Sequence, residues 1–209
     1  MSARARLLLA AICLLAGAAF ILLATDARRW QSRMQSGDTR FAFAPARSDL
    51  WAPAQLIPFG TAKALLQLDD DLAYRRALQV FMLGQPRDQP FSDAEVIGRR
   101  GQAQELLVDV VERDNDPGRR AAAANLIGVL GFANAALDDS QARAYLNAAI
   151  ENFRAAISID PENADAKYNL ELALARLQAA ERAAGAQARR DTRSGSGAGA
   201  GTGQPGTGY

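Results

Sequence analysis

Asp69, Asp70 and Asp71 form the densest run of chemically capable groups in this 209-residue chain. Three adjacent carboxylates could hold a cation. A calcium loop, however, needs oxygen ligands at alternate positions and a glycine at its turn, and neither is found here. A helix N-terminus, which favours negative charge, accounts for the run more simply. Asp138 and Asp139 fall in a predicted turn, where water solvates them. Gly98, Gly128 and Gly131 make no phosphate loop, since no strand precedes them and no Lys-Ser/Thr follows. They suit close helix contacts instead. The sequence contains no histidine, so the commonest general base and metal ligand is missing. Its single cysteine, Cys13, lies in an apolar run, which excludes an intramolecular disulfide and a cysteine-based zinc site. The expectation is a protein that is not an enzyme and that uses no cofactor and no metal. Its 24 basic and 23 acidic residues leave a net charge of +1, with no global pull toward nucleic acid.

With no chemistry to place, the elements themselves carry the argument. Leu7 to Ala24 reads LLLAAICLLAGAAFILLA, an uncharged run flanked by Arg4 and Arg6 before it and by Asp26, Arg28 and Arg29 after it. As a helix at about 1.5 Å per residue it covers about 27 Å, close to the thickness of bilayer hydrocarbon. A cleaved signal peptide usually has a shorter apolar core, and no small-x-small site follows this one. A lipoprotein signal needs a small residue before its cysteine, and Ile12 precedes Cys13. A retained single-pass anchor over residues 1–30 fits best, with Trp30 at the headgroup boundary. Basic residues flank both sides, so orientation is weakly specified. Residues 31–60 are expected to form a strap rich in proline and aromatics, extended from Gln35. Phe41, Phe43, Trp51 and Phe59 would pin it to the rest of the protein, with no role required beyond packing.

From residue 61 to 190 the pattern is helical. A first helix spans Ala62–Leu83, with a break near Asp69–Asp71. Ser92 to Glu95 has capping-box spacing before a second helix that ends near Arg113. Asp116-Pro117 opens a third, to about Leu137. Asp139 or Ser140 caps a fourth, to about Ile159, and Asp160-Pro161 opens a fifth, to about Gln187. Short turns between them imply a stack of antiparallel α-hairpins. The fold class is thus all-α. Residues 191–209 are Gly/Ser-rich and too poor in apolar groups to order themselves.

An internal repeat is the most specific signal. Asn125-Leu126 follows Pro117 at eight residues, and Asn169-Leu170 follows Pro161 at the same distance, 44 residues further on. Ala149, Phe153, Ala156 and Pro161, followed by Ala164, Tyr168, Asn169, Leu170 and Ala173, resemble the tetratricopeptide repeat, a helix-turn-helix unit of about 34 residues. The match is strongest from Tyr145 to Leu177. Small residues let helices approach, Phe153 fills the gap between hairpins, and Glu171 marks the last helix as a cap with a polar outer side. The resemblance implies that Asn125 and Asn169 face a groove and hydrogen-bond an extended peptide, with Asp165, Tyr168 and Leu172 on the same face. The alternative is that both asparagine side chains bridge backbone between neighbouring hairpins, structurally.

The anchor, the short repeat domain, the stretch DAKYNLELA and the low-complexity tail together resemble a narrower group. These are the small tetratricopeptide proteins of bacterial Bat-type clusters, which accompany MoxR-type AAA ATPases and von Willebrand A-domain proteins. The MxaK-type accessory proteins of methanol-oxidation clusters are similar. That resemblance implies an adaptor in the bacterial cytoplasmic membrane with its domain on the outer side. Its partner would be a MoxR-type ATPase or an A-domain protein, and no nucleic acid would be bound. A self-associating structural envelope protein remains the other reading.

Overall fold

The computed structural model describes residues 2–53, 56, 60–85 and 93–195. Among these residues every regular element is a helix: α1 Ala3–Phe43, α2 Thr61–Leu65, α3 Leu68–Leu83, α4 Asp93–Arg113, α5 Pro117–Ala135, α6 Ala142–Ile159 and α7 Ala164–Gly195. The expected all-α class is observed. The Ser92 end of the capping box, Pro58, Phe59 and the tail from residue 196 lie outside the described residues.

α1 is a single helix of 41 residues, about 60 Å long at the standard rise. It is the one helix among the described residues that is long and apolar enough to cross a membrane, judged by length and composition. Leu7, Leu14, Leu15, Phe20 and Ile21 are all largely exposed, so these side chains of the apolar run, unlike Leu23, have no cover among the described residues. The charges at residues 26–29 do not end the helix. It continues through residues 31–43, where an extended strap was expected, and stops only at Ala44, the residue before Pro45.

Trp30 is not at the end of the apolar run facing outward. It is 4% exposed and packs with Met34 and Ala62, and Leu23, Trp51, Leu68 and Leu72 close around it. Beyond Phe43 the chain doubles back along α1. A Cβ at Gly37 would lie 2.5 Å from the Trp51 ring and 2.6 Å from the Leu50 carbonyl, so only glycine admits the returning chain there. Leu50 is fully buried. Trp51 donates to Asp38 at 2.9 Å, lies 5.5 Å from the Phe41 ring and receives the Arg75 guanidinium at 5.9 Å. The Gln79 amide of α3 donates to the carbonyls of Pro45 and Arg47, both at 2.7 Å. Phe41 and Trp51 are thus anchors as expected, whereas Phe43 is exposed.

The remaining helices pack each on the next, from α3 to α7. The first break falls at Leu66-Gln67, where Gln67 has a φ of 52°, and not at Asp69–Asp71. Those three acids occupy the first turn of α3, where the open N–H groups favour them. α5 lies at the centre and is buried nearly all round, which suits its apolar run AAAANLIGVLG. On one side Ile127 and Leu130 join Ala77, Phe81, Ala103, Leu107 and Val110. On the other, Ala149, Ile150 and Phe153 of α6 meet Ala173 of α7.

The caps show how local chemistry sets these ends. Asp116 accepts from the Arg119 N–H at 2.9 Å, and Pro117 is the first helical residue of α5, as the sequence predicts. At α6 no side chain caps the helix, neither Asp139 nor Ser140: Gln141 stands at the N-cap without a side-chain bond, and an oxygen of Asp138 shapes the turn before it. That oxygen accepts from the Ser140 N–H, the Ser140 hydroxyl and the Gln141 N–H. At α7 Asn163, not Asp160, caps the helix by accepting from Ala166 at 2.9 Å. Asp160 instead ends α6, with Pro161 in the turn. The two Asp-Pro pairs therefore do different work despite their matched spacing. α7 also runs past the expected Gln187 to Gly195, so residues 191–195 are helical.

Candidate functional site

The five residues marked by the sequence lie on α5 and α7. One face of α7 is sealed: Ala166 and Ala173 are buried, and Leu170, Leu174 and Leu177 pack on the core. Asn169 sits at the edge of this face, half-buried, and its amide donates to Asn125 Oδ1 at 2.9 Å. Asn125 is only 8% exposed. Ala124, Ala156 and Ala166, small residues on α5, α6 and α7, form the buried cluster that brings these three helices close. The structure thus uses the two asparagines on each other. They clamp α7 to α5 across 44 residues of sequence, a structural bridge that runs side chain to side chain and not to backbone.

Asp165, Tyr168 and Leu172 stand apart from that clamp. All three are exposed, and Tyr168 retains 67% of its surface. Their spacing of three and four residues places them in one row on the outer side of α7. Such a row offers a ring, an aliphatic side chain and a carboxylate to a partner without displacing any internal contact. Glu171, on the same outer side, is also exposed.

Two charged groups escaped the sequence reading. Asp26 is 1% exposed, and both its oxygens accept from the Leu56 N–H, at 2.9 and 3.0 Å. The acid that follows the apolar run is therefore a buried clasp for the returning chain. An acid alone at such a boundary reads only as a stop, and nothing local reveals its partner. The second is Asp114, whose side chain is 2% exposed. Arg119 grips it with two bonds, at 2.7 and 2.8 Å, and the Asp116 N–H adds a third at 2.8 Å. Burial pushes the Asp114 carboxyl up, but the Arg119 and Asp116 hydrogen bonds outweigh it and hold the group below the usual carboxylate range. Asp70 accepts from the Asn115 side-chain amide at 2.8 Å, so the α3 N-terminus is tied to the same α4–α5 turn. The acidic run is thus part of a clasp between helices. Among the described residues no group of three or more Cys, Asp or Glu side chains is placed to hold a metal ion.

Gly128 and Gly131 allow close helix contact, as expected: a Cβ at Gly128 would lie 2.4 Å from the Phe153 ring, and one at Gly131 would lie 3.3 Å from the Tyr145 carbonyl. Gly98 has nothing within 4 Å and serves no such contact. No protein-family model, curated protein or solved structure matches the chain.

Proposed function

We propose that this chain is a single-pass membrane-tethered adaptor whose tetratricopeptide-like stack binds another protein through the outer row of α7. The carrying observation is the exposed Asp165, Tyr168 and Leu172 on a helix whose opposite face is sealed into the core. Aromatic residues presented on rigid elements are favoured anchors for protein contacts. The Phe153–Gly128 packing and the small-residue cluster support hairpins of the tetratricopeptide type. A retained anchor is supported by the continuity of α1, which passes from the exposed apolar stretch into the folded unit without a break. In this reading the protein assists assembly or recruitment of a bacterial envelope complex, with a MoxR-type ATPase or a von Willebrand A-domain protein as the partner. The peptide-groove role of Asn125 and Asn169 is replaced by the α7 row.

The test is photo-crosslinking in native membranes. A photoreactive residue placed at position 168 should capture a second, different polypeptide. One at position 147, exposed on α6, should not. Tyr168→Ala combined with Leu172→Ala should abolish co-purification of that polypeptide with the full chain. A crosslink at 168 only to another copy of this chain would replace the adaptor with the self-associating alternative.

A further inference from the structure

A shallow groove of about 630 Å³ lies on α1 just past the apolar stretch, and arginines dominate its lining. Arg28, Arg29 and Arg33 face it together with Thr25, Ser32 and Ser36, and no acidic residue lines it. Thr25 donates to the Ile21 carbonyl and Ser36 to the Arg33 carbonyl, so their hydroxyl protons are already engaged. Arg33 is held by Asp49 of the returning chain. Arg28 and Arg29 are exposed, and neither has a carboxylate partner among the described residues. The nearest acid in sequence, Asp26, is buried and engaged with Leu56.

The position of these cations decides the ligand. Arg28 and Arg29 come four and five residues after Ala24, about 6–8 Å along the helix. The polar layer on each side of a bilayer is about 5–7 Å deep. Packing of Leu23, Trp30 and Met34 against α2 and α3 keeps this part of α1 fixed relative to the folded unit. The groove is therefore held at headgroup level rather than swung freely above it. A guanidinium matches a phosphate in both charge and fork geometry. A free phosphate in so shallow a groove would gain only a solvent-screened attraction, whereas a lipid is already confined to the surface where the groove lies.

We infer that the Arg28–Arg29 groove binds the phosphate of an anionic phospholipid in the leaflet from which α1 emerges. The inference rests on the retained anchor. It assigns these arginines a lipid-selecting role that general charge balance does not require.

The test uses the full chain in bilayer nanodiscs of equimolar phosphatidylglycerol and phosphatidylcholine, with native mass spectrometry of the ejected protein. Wild type should retain phosphatidylglycerol in preference to phosphatidylcholine. Arg28→Gln combined with Arg29→Gln should lose roughly tenfold of that preference while inserting equally well. Both positions are exposed, so unchanged circular dichroism should show that the fold is kept. Equal retention of the two lipids by wild type, or an undiminished preference in the variant, would overturn the site. Displacement of the lipid by millimolar inorganic phosphate would reassign the groove to a free anion. Failure of wild type to insert into either bilayer would overturn the anchor itself, and the lipid site with it.

Discussion

Phe153 and Gly128 occupy one space between them. The ring is 1% exposed, and a methyl group at position 128 would sit 2.4 Å from its edge. Phe153→Ala should destabilise the protein by about 3–5 kcal/mol through the cavity it leaves. Gly128→Ala should cost about 1–3 kcal/mol through overpacking. On a Phe153→Leu background the Gly128→Ala penalty should shrink, because the obstructing edge is gone. A urea-unfolding double-mutant cycle measures this, and strictly additive costs would mean that the ring is not what fills the space. Asp114 acts through charge instead. Its carboxyl is held below the usual range in the folded state, so its contribution is complete above the unfolded value of about 3.9 and is lost as pH falls through the folded value. Asp114→Asn should therefore cost about 1.5–3 kcal/mol at neutral pH, the worth of hydrogen bonds to a charged group. The gap to wild type should close in strongly acid solution. A gap that stays constant from neutral to acid pH would remove the ion pair from the account.

The elements were legible where their ends are set locally. Pro117 with Asp116, the apolar faces of α4 and α6, and the acidic first turn of α3 are signals within a few residues of what they control. The length of α1 was not legible, because charges after an apolar run mark where hydrocarbon ends and not where a helix ends. Only Pro45 carries a true stop, and it lies about twenty residues further on. The site was partly legible for a related reason. The 44-residue spacing marked Asn125 and Asn169 as equivalent positions but did not show that their side chains bond each other. Whether the pair turns outward or closes on itself depends on how α7 seats against α5, and that is fixed by Ala124, Ala156 and Ala166 together. The strap shows the same dependence on tertiary contact. Asp26→Ala would leave the Leu56 N–H without this acceptor and cost about 1–3 kcal/mol if that group stayed buried. The expected result is faster protease cleavage within residues 44–60 while α5 to α7 stay intact. Asp26→Asn keeps one accepting oxygen and should fall between the two. Unchanged cleavage in Asp26→Ala would mean that Gln79 and Trp51 hold the strap unaided.

At the scale of the whole molecule, the long helix α1 and the folded unit share a core. The part of α1 beyond the apolar stretch contributes Trp30 and Met34 to a cluster with Ala62, and the returning chain adds buried Leu50. The folded unit therefore begins before the repeat-like helices do, near Thr25 rather than at residue 61. Under the proposed membrane-anchored function, this arrangement would hold the hairpin stack at a fixed height above a bilayer, since the connection is a packed helix and not a flexible linker. It also makes a prediction that separates the two boundaries. A chain starting at Thr61 lacks Trp30, Met34 and Leu50 and leaves Leu68 and Leu72 without their cover. Losing the burial of even one such large side chain is worth about 1.5–3 kcal/mol. Relative to a chain starting at Thr25, the shorter chain should melt roughly 5–15 °C lower. Hydrogen exchange should quicken in α2 and α3, which face the lost cluster. It should change little in α6 and α7, whose core is built around Phe153 and Ala173 on the far side of α5. Equal melting temperatures would place the boundary at residue 61 and reduce the second half of α1 to a spacer. Uniformly faster exchange in all helices would instead mean that the stack unfolds as one unit whose stability depends on the cluster around Trp30 and Met34.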